Sequence, residues 1–202
     1  LWLFPRLPRF QRANPDVEIA LTTLSYSQPI RDDEPLEFAI SWGRGEWRSH
    51  IFEPLLTNTN FLVCSPGFFG KSAADPNQIV EDHLIHDRST FWWAAFLNSL
   101  GVTGVNPSGG TLYNQTYLCL EAAARGDGIA IGDEVSSRDY LDTGRLIIPF
   151  PLRLPAPDSY YILTPRSETA NQGPSLRFKR WLTEEATEHR LWFTDFWLTQ
   201  SS

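Results

Sequence analysis

The sequence predicts an α/β protein, and residues 114–132 provide the main reason. Tyr117, Leu120 and Ala124 recur at helical spacing, and Gly126 follows as the left-handed residue that commonly ends a helix. The apolar run at residues 128–132 then indicates a short strand buried on both faces. A helix that leads by a tight turn into such a strand is half of a βαβ crossover.

Two further patterns support this fold class. Residues 16–21 alternate between polar and apolar side chains, which is typical of a half-buried strand. Residues 61–64 form a short apolar run that ends at the turn Pro66-Gly67, as a fully buried strand would. Strands of both kinds, separated by helical patterns, are what an α/β protein requires.

The remaining elements are predicted from the same rules. The N-terminal half is expected to hold a helix through Leu3, Leu7 and Phe10 that ends at Asn14-Pro15, a strand over residues 16–21, a strand over 36–40 and a strand-rich stretch over 51–65. In the rest of the chain, helices are expected over 76–81, 91–100, 115–125, 134–141 and 176–182. Strands are expected there over 83–86, 111–113, 128–132, 146–150 and 160–163. Asn114 and Ser89 are the predicted N-caps of their helices. The apolar tail at residues 191–198 is expected to pack on this chain or on a partner.

Composition narrows the class of function. The net charge of −7 and the low isoelectric point argue against a nucleic-acid surface on this piece. Cys64 and Cys119 both lie in apolar runs, which favours reduced core thiols in a cytoplasmic protein. No apolar stretch is long enough to cross a membrane, and the absence of methionine indicates a processed piece or a fragment.

Residues that could carry catalysis, metal binding or phosphate binding do not form a convincing set. His83 and His86 are three apart on a predicted strand, so their imidazoles point to opposite faces and no metal site is expected. The Gly-x-Gly sequences at residues 43–45 and 126–128 lack the spacing or the strand-to-helix order of a phosphate loop. No Gly-x-Ser-x-Gly elbow occurs, which argues against a serine hydrolase. Since no pair of carboxylates stands out as acid and base and the cysteines lack an activating setting, the chain is expected to be no enzyme and to use no cofactor.

Polar residues do occur where predicted strands end. These residues are Thr23, Ser25, Ser41, Trp42, His86, Asp87, Arg88, Asn114, Gln115 and Thr116. In α/β sheets, ligands bind outside the carboxyl ends of the strands, and a helix N-terminus there offers free backbone N–H groups. The pattern therefore predicts the binding of a small molecule.

Several motifs, taken in order, resemble a known family. The start Trp2-Leu3-Phe4-Pro5-Arg6-Leu7, the stretch Glu37-Phe38-Ala39-Ile40-Ser41-Trp42-Gly43-Arg44-Gly45-Glu46-Trp47, the later Leu120-Glu121-Ala122-Ala123 and the closing Phe178-x-x-Trp181-Leu182 are similar to the effector-binding domain of LysR-type transcriptional regulators. The resemblance covers about residues 1–186 and is closest to the branch with the glycine-cleavage and β-lactamase regulators.

This resemblance implies two flavodoxin-like subdomains, joined by two crossover strands as in type 2 periplasmic binding proteins. Subdomain one would comprise residues 1–84 and 161–202, and subdomain two residues 85–160, with crossovers near residues 84–87 and 160–163. The first strand of subdomain one and the DNA-binding winged helix-turn-helix would precede residue 1.

The resemblance also implies partners and site residues. A small-molecule effector would bind between the subdomains, the regulatory domains would form a homodimer or homotetramer, and promoter DNA would be bound only by the N-terminal part, in the cytoplasm and without a membrane. By position it adds Gly43 and Tyr160 to the strand-end residues, whereas Ser41 stands where the family often has arginine. The alternative is a solute-binding protein of a transport system, which shares the two-subdomain cleft.

Overall fold

Two β-sheets organise the chain in the computed structural model, which describes residues 1–23, 37–48, 50–70, 74–166 and 173–200. Each sheet belongs to a separate compact unit. The five-stranded unit comprises Leu1–Trp2, Asn58–Ala156 and Phe196–Ser202. The three-stranded unit comprises Leu3–Thr57 and Pro157–Asp195. The mixed helices and strands confirm the predicted α/β class.

The five-stranded sheet has the order β5-β4-β6-β3-β7. Its strands are β3 (Thr59–Val63), β4 (Leu84–Asp87), β5 (Thr111–Tyr113), β6 (Ile129–Asp133) and β7 (Arg153–Pro155). Strand β4 is parallel to both β5 and β6, whereas β3 is antiparallel to β6 and β7. The carboxyl ends of three parallel strands therefore lie side by side at one edge of this sheet.

Helices connect the parallel strands of this unit. They are α2 (Phe91–Ser99) between β4 and β5, α3 (Thr116–Arg125) between β5 and β6, and α4 (Arg138–Asp142) after β6. Gly126 has a φ of 90° and ends α3, so the predicted glycine stop and βαβ crossover are confirmed. The core around β4 is fully buried and includes Leu84, Trp93, Phe96 and Ile129.

The three-stranded sheet has the order β1-β8-β2, and both ladders are antiparallel. Its strands are β1 (Ala39–Gly43), β2 (His50–Leu56) and β8 (Ser159–Pro165). The unit also holds α1 (Leu7–Ala13) and most of the long helix α5 (Gly173–Gln200). The ring of Phe10 lies 4.8 Å from that of Phe178, which packs α1 against α5.

A buried carboxylate strengthens the contact between α1 and α5. Glu185 is only 3% exposed, and its carboxylate accepts from Arg9 and lies 3.6 Å from Nε of Arg6. Glu188, one turn further along, contacts the same Arg9 at 3.0 Å but is 62% exposed. The buried glutamate therefore depends on its arginines in a way that the exposed one does not.

Two predicted strands do not form, and one strand was not predicted. Residues 16–21 have no ladder partner in the described part of the chain. Residues 146–150 make only the isolated bridge between Cys64 and Ile147, because Pro149 has no N–H to continue a ladder. The outer partner of β3 is instead β7.

The C-terminal tail continues α5 as one helix of 28 residues rather than forming a separate segment. In the five-stranded unit Trp197 is 8% exposed and its ring lies 5.8 Å from that of Phe61. The expectation that the apolar tail packs on this chain is thus confirmed for Trp197. None of the described helices is long and apolar enough to span a bilayer.

The limits of the compact units differ from the predicted subdomain limits. The chain passes between the units at residues 2–3, 57–58, 156–157 and 195–196. Strand β4, predicted as a crossover, lies in the middle of the five-stranded sheet because both of its neighbours belong to that sheet. The whole of β8, the other predicted crossover, pairs within the three-stranded sheet.

Candidate functional site

The five-stranded unit brings together a strand-end cluster, which we define as His86, Asp87, Arg88 and residues 114–116. Strands β4 and β5 are parallel, with His86 opposite Leu112 and Asp87 opposite Tyr113. Both strands therefore end at the same edge of the sheet. Because α3 begins at Thr116, three residues after β5 ends, its N-terminus lies at this edge as the sequence predicted.

Asp87 joins the three elements of this cluster. The hydroxyl of Thr116 donates to Oδ2 of Asp87 at 2.5 Å, which links the start of α3 to the end of β4. The guanidinium of Arg88 lies 3.3 Å from Oδ1 of the same carboxylate. Arg88 has a φ of 56°, and its N–H donates to the carbonyl of Tyr113 at 2.9 Å. The carboxylate is therefore held by the start of α3 and by the residue that follows β4, and the backbone of Arg88 ties the same place to the end of β5.

His86 is 2% exposed and has two differently placed ring nitrogens. Its Nε2 lies 2.5 Å from the carbonyl oxygen of Gly109, and because a carbonyl only accepts, Nε2 carries the hydrogen. Its Nδ1 is buried with no hydrogen-bond partner among the described residues. The ring edge faces Trp93 at 6.3 Å between centroids. His86 is thus a core-facing member of the cluster.

The two amides before α3 differ from the prediction. Asn114 was the predicted N-cap, but the N-cap position belongs to Gln115, whose side chain makes no capping hydrogen bond. Asn114 lies one residue too early because the chain stays extended for one more residue after β5. Both side chains are exposed, so their amide groups are available to a ligand. Ser89 similarly precedes the N-cap Thr90 of α2, although its hydroxyl accepts from the N–H of Phe91 at 3.2 Å.

Asp133 was not identified from the sequence. It ends β6 and is buried, and burial raises the pKa of its carboxyl, with a further upward contribution from the charge of Asp87. Hydrogen bonds from Ser136 partly oppose this change, and the side-chain contact of Ser136 Oγ with Oδ2 is 2.5 Å. An aspartate directly after an apolar strand and before Ser136-Ser137 was a usable signal.

The three-stranded unit carries an aromatic pocket of about 400 Å³. It is lined by Trp42, Gly43, Arg44, Glu46, Trp47 and Asp158. The pocket lies where β1 ends and β8 begins, with Gly43 opposite Ser159 and Trp42 opposite Tyr160. The antiparallel register thus brings residues that are more than a hundred positions apart in sequence to one place.

A glycine sets the position of one indole in this pocket. A Cβ on Gly43 would lie 3.0 Å from the ring of Trp47, closer than carbon atoms normally approach. The ring of Trp47 also lies 5.2 Å from the ring of Tyr161 and 6.0 Å from that of Phe52. The indole is therefore held by contacts with the backbone of β1 and with side chains of β8 and β2.

Two charged groups of the pocket are paired and one is not. Nε of Arg44 lies 3.4 Å from Oδ1 of Asp158. Glu46 is exposed, and its carboxylate has neither a hydrogen bond nor an ion pair within the described residues. The pocket consequently offers one unpaired negative charge beside two indole rings.

The structure divides the predicted site residues between the two units. His86, Asn114, Gln115 and Thr116 lie in the strand-end cluster, whereas Ser41, Trp42, Gly43 and Tyr160 lie on β1 and β8. Thr23 is exposed at the end of a described stretch, and Ser25 lies outside the described residues. Sequence reasoning did not select Arg44, Glu46, Trp47 or Asp158 as site residues. The first three lie within the Gly-x-Gly-x-Trp stretch at residues 43–47, whereas Asp158 had no local signal.

Neither metal coordination nor thiol chemistry is supported by the described side chains. Over residues 1–23, 37–48, 50–70, 74–166 and 173–200, no group of three or more His, Cys, Asp or Glu could hold a metal ion. Burial raises the pKa of Cys64 and of Cys119 to about 12, so both thiols stay protonated and unreactive at neutral pH. The arrangement is suited to reversible binding.

Comparison with known sequences finds relatives that are transcriptional activators. The glycine cleavage system transcriptional activator of Escherichia coli strain K12 is 28% identical over 187 residues, which cover 92% of this chain and 61% of the activator. The HTH-type transcriptional activator AmpR of Rhodobacter capsulatus is also 28% identical, over 93% of this chain and 63% of that protein. The chain therefore spans about three fifths of the length of these curated relatives.

Comparison with solved structures agrees with the sequence relatives. The effector domain of the transcriptional regulator AmpR of Pseudomonas aeruginosa superposes with a TM-score of 0.73 at 26% identity, over 94% of this chain and 91% of that domain. The AmpR effector-binding domain of Citrobacter freundii gives a TM-score of 0.72 at 25% identity, over 92% of each chain. The family described as the LysR substrate binding domain matches residues 1–187, and this chain belongs to that family.

Proposed function

We propose that the chain is the effector-sensing part of a LysR-type transcriptional regulator and binds a small molecule without chemically changing it. The polar strand-end cluster carries this proposal: Asn114 and Gln115 are exposed at the start of α3, and Thr116 and Asp87 are locked together beside them. A helix start with exposed amides and free backbone N–H groups suits recognition of a polar ligand.

The relatives support the regulatory role. The two curated relatives named above are transcriptional activators, and the similar solved domains are described as an effector domain and an effector-binding domain. We propose that the whole protein binds promoter DNA through a further N-terminal domain, acts in the cytoplasm and assembles as a homodimer or homotetramer. A bound effector would then change DNA occupancy through its different affinities for two states of the assembly.

The proposal is tested first by ligand binding to the chain itself. A metabolite panel is screened for compounds that raise the melting temperature in a concentration-dependent way. A compound present at about 100 times its dissociation constant stabilises the fold by about 2.7 kcal/mol. Isothermal titration then measures the dissociation constant for each hit.

Variants at the strand-end cluster identify where the hit binds. Gln115→Ala removes an exposed amide that makes no capping hydrogen bond, so the fold is expected to keep its stability. The matched control is Asn98→Ala, which removes an exposed amide from α2 of the same unit. We expect about a fivefold weaker affinity for Gln115→Ala and no change for Asn98→Ala, since a lost hydrogen bond costs on the order of 1 kcal/mol. A panel without any stabilising compound, or conversion of a hit into product, would contradict the proposal.

A further inference from the structure

We propose that the aromatic pocket of the three-stranded unit binds the protonated amine of a ligand, with Glu46 as its counter-ion. This inference rests on the proposed function, because it names a chemical class for the effector. It concerns Trp42, Gly43, Arg44, Glu46, Trp47 and Asp158, which together line the pocket.

The charges of the pocket favour a cation over an anion. Arg44 is the one positive group in the lining, and its guanidinium is already 3.4 Å from the carboxylate of Asp158. Glu46 adds a second carboxylate that has no ion pair or hydrogen bond among the described residues. The lining thus carries a net charge of one negative unit, from two carboxylates and one guanidinium. An ammonium group would compensate this charge, whereas a carboxylate ligand would meet two like charges.

The walls of the pocket favour the same class of ligand. Indole faces attract cations through the ring quadrupole, and tryptophan is the most effective side chain for this interaction. Trp47 is held in place by close contact with Gly43 and by the ring of Tyr161 at 5.2 Å, and the partly exposed remainder of its indole lines the pocket. A fixed ring loses little conformational entropy when a ligand binds. An alkylammonium group therefore finds both a counter-ion and an aromatic wall.

Uncharged side chains also stand on the strands that carry the pocket, namely those of Ser41 and Tyr160. The nearest cation, Arg44, could bind an anion only after leaving Asp158, which would then stand uncompensated at 17% exposure. The geometry consequently opposes recognition of a ligand whose only charge is negative.

The test uses the 202-residue chain and a matched pair of probes. Choline carries a quaternary ammonium group, and 3,3-dimethylbutan-1-ol is its neutral carbon isostere. Both are titrated while the indole N–H signals are followed by nuclear magnetic resonance, with the Trp47 signal assigned from Trp47→Phe. We expect saturable shifts of the Trp47 signal with choline, which weaken as salt is raised, and none with the alcohol. Equal shifts with both probes would overturn the inference.

Two substitutions should change the affinity for choline in opposite directions. Glu46→Gln removes the counter-ion and is expected to weaken choline binding about two- to fivefold, the range of a solvent-exposed ion pair. Arg44→Gln uncovers the carboxylate of Asp158 and is expected to strengthen binding by a similar factor. Glu18→Gln makes the same charge change at an exposed site of the same unit and should leave the affinity unchanged. An unchanged affinity in both pocket variants, or the same change in all three, would also overturn the inference.

The test of the ligand class and the test of the sensing role can fail independently of each other. If a metabolite regulates DNA binding but its affinity ignores Glu46→Gln and Arg44→Gln, the ligand class is wrong while the sensing role stands. If choline binds as expected but no compound affects DNA binding of the intact protein, the pocket stands and the sensing role fails.

Discussion

Replacing Thr116 with valine removes the side-chain hydrogen bond between Thr116 and Asp87, which joins the start of α3 to the end of β4; the weaker contact of the Cys119 thiol with the carbonyl of His86 at 3.5 Å is untouched. Valine keeps the branched shape of threonine but cannot donate to Asp87, whose Oδ2 accepts from the hydroxyl at 2.5 Å. Asp87 would keep its contact with Arg88 at 3.3 Å. The perturbation therefore isolates a single charge-assisted hydrogen bond.

The magnitude follows from the burial of the acceptor. Hydrogen bonds to charged groups contribute about 1.5–3 kcal/mol, and the side chain of Asp87 is 21% exposed, so water compensates part of the loss. We expect Thr116→Val to lower the free energy of unfolding of the five-stranded unit by about 1–2 kcal/mol. Thr111→Val, on an exposed position of β5, is the matched control and should change stability by less than about 0.5 kcal/mol.

Hydrogen exchange is the appropriate assay because it reports on each unit separately. The amides of β4 and α3 should exchange faster in Thr116→Val, whereas those of the three-stranded unit should not change. A double-mutant cycle with Asp87→Asn should give a coupling energy of about 1 kcal/mol. Additive effects of the two substitutions would refute the assigned role of this hydrogen bond, as would equal effects of Thr116→Val and Thr111→Val.

Three other substitutions test the packing of the units. Glu185→Gln should lower unfolding free energy by about 1–3 kcal/mol in urea titration, while Glu188→Gln, 62% exposed, should cost less than about 0.5 kcal/mol. Hydrogen bonds from Arg145 hold the pKa of Glu121 below its usual value. The contribution of this carboxylate to the free energy of unfolding, about 0.5–1 kcal/mol, is therefore present at pH 6 and lost as the pH falls below about 4. Glu121→Gln should remove that acid dependence in urea titrations from pH 6 to 3. Trp197→Ala should cost about 2–4 kcal/mol by calorimetry because the ring is buried, and Leu198→Ala, 64% exposed on the same helix, should cost under about 0.5 kcal/mol.

Elements with a strong local pattern were predictable from the sequence. The segment that forms α3 and β6 combined helical spacing, a glycine stop and an apolar strand, and all three features are present in the structure. Strand β7 was missed because Arg153 and Leu154 lie between prolines, and only pairing with β3 holds them extended. Helix α5 was predicted only over residues 176–182, with residues 191–198 as an apolar tail, because its polar middle hid the continuity of the helix.

The candidate site was predictable only in part, because some of its contacts depend on strand pairing rather than on a local sequence pattern. Strand ends could be located from sequence, so His86 and Thr116 were correctly expected at one edge of the sheet. The contact between Thr116 and Asp87 depends on the parallel pairing of β4 and β5, which no local pattern specifies. Asp158 likewise reaches the aromatic pocket only through the antiparallel register of β1 and β8.

The most direct measurement is the DNA occupancy of the intact regulator with and without a compound that stabilises this chain. Genomic fragments bound by the purified full-length protein are sequenced at several concentrations of the compound. We expect a small set of specific sites whose occupancy changes with a midpoint near the dissociation constant measured for the chain. Binding to no specific site, or site occupancy that is indifferent to every stabilising compound, would contradict the account.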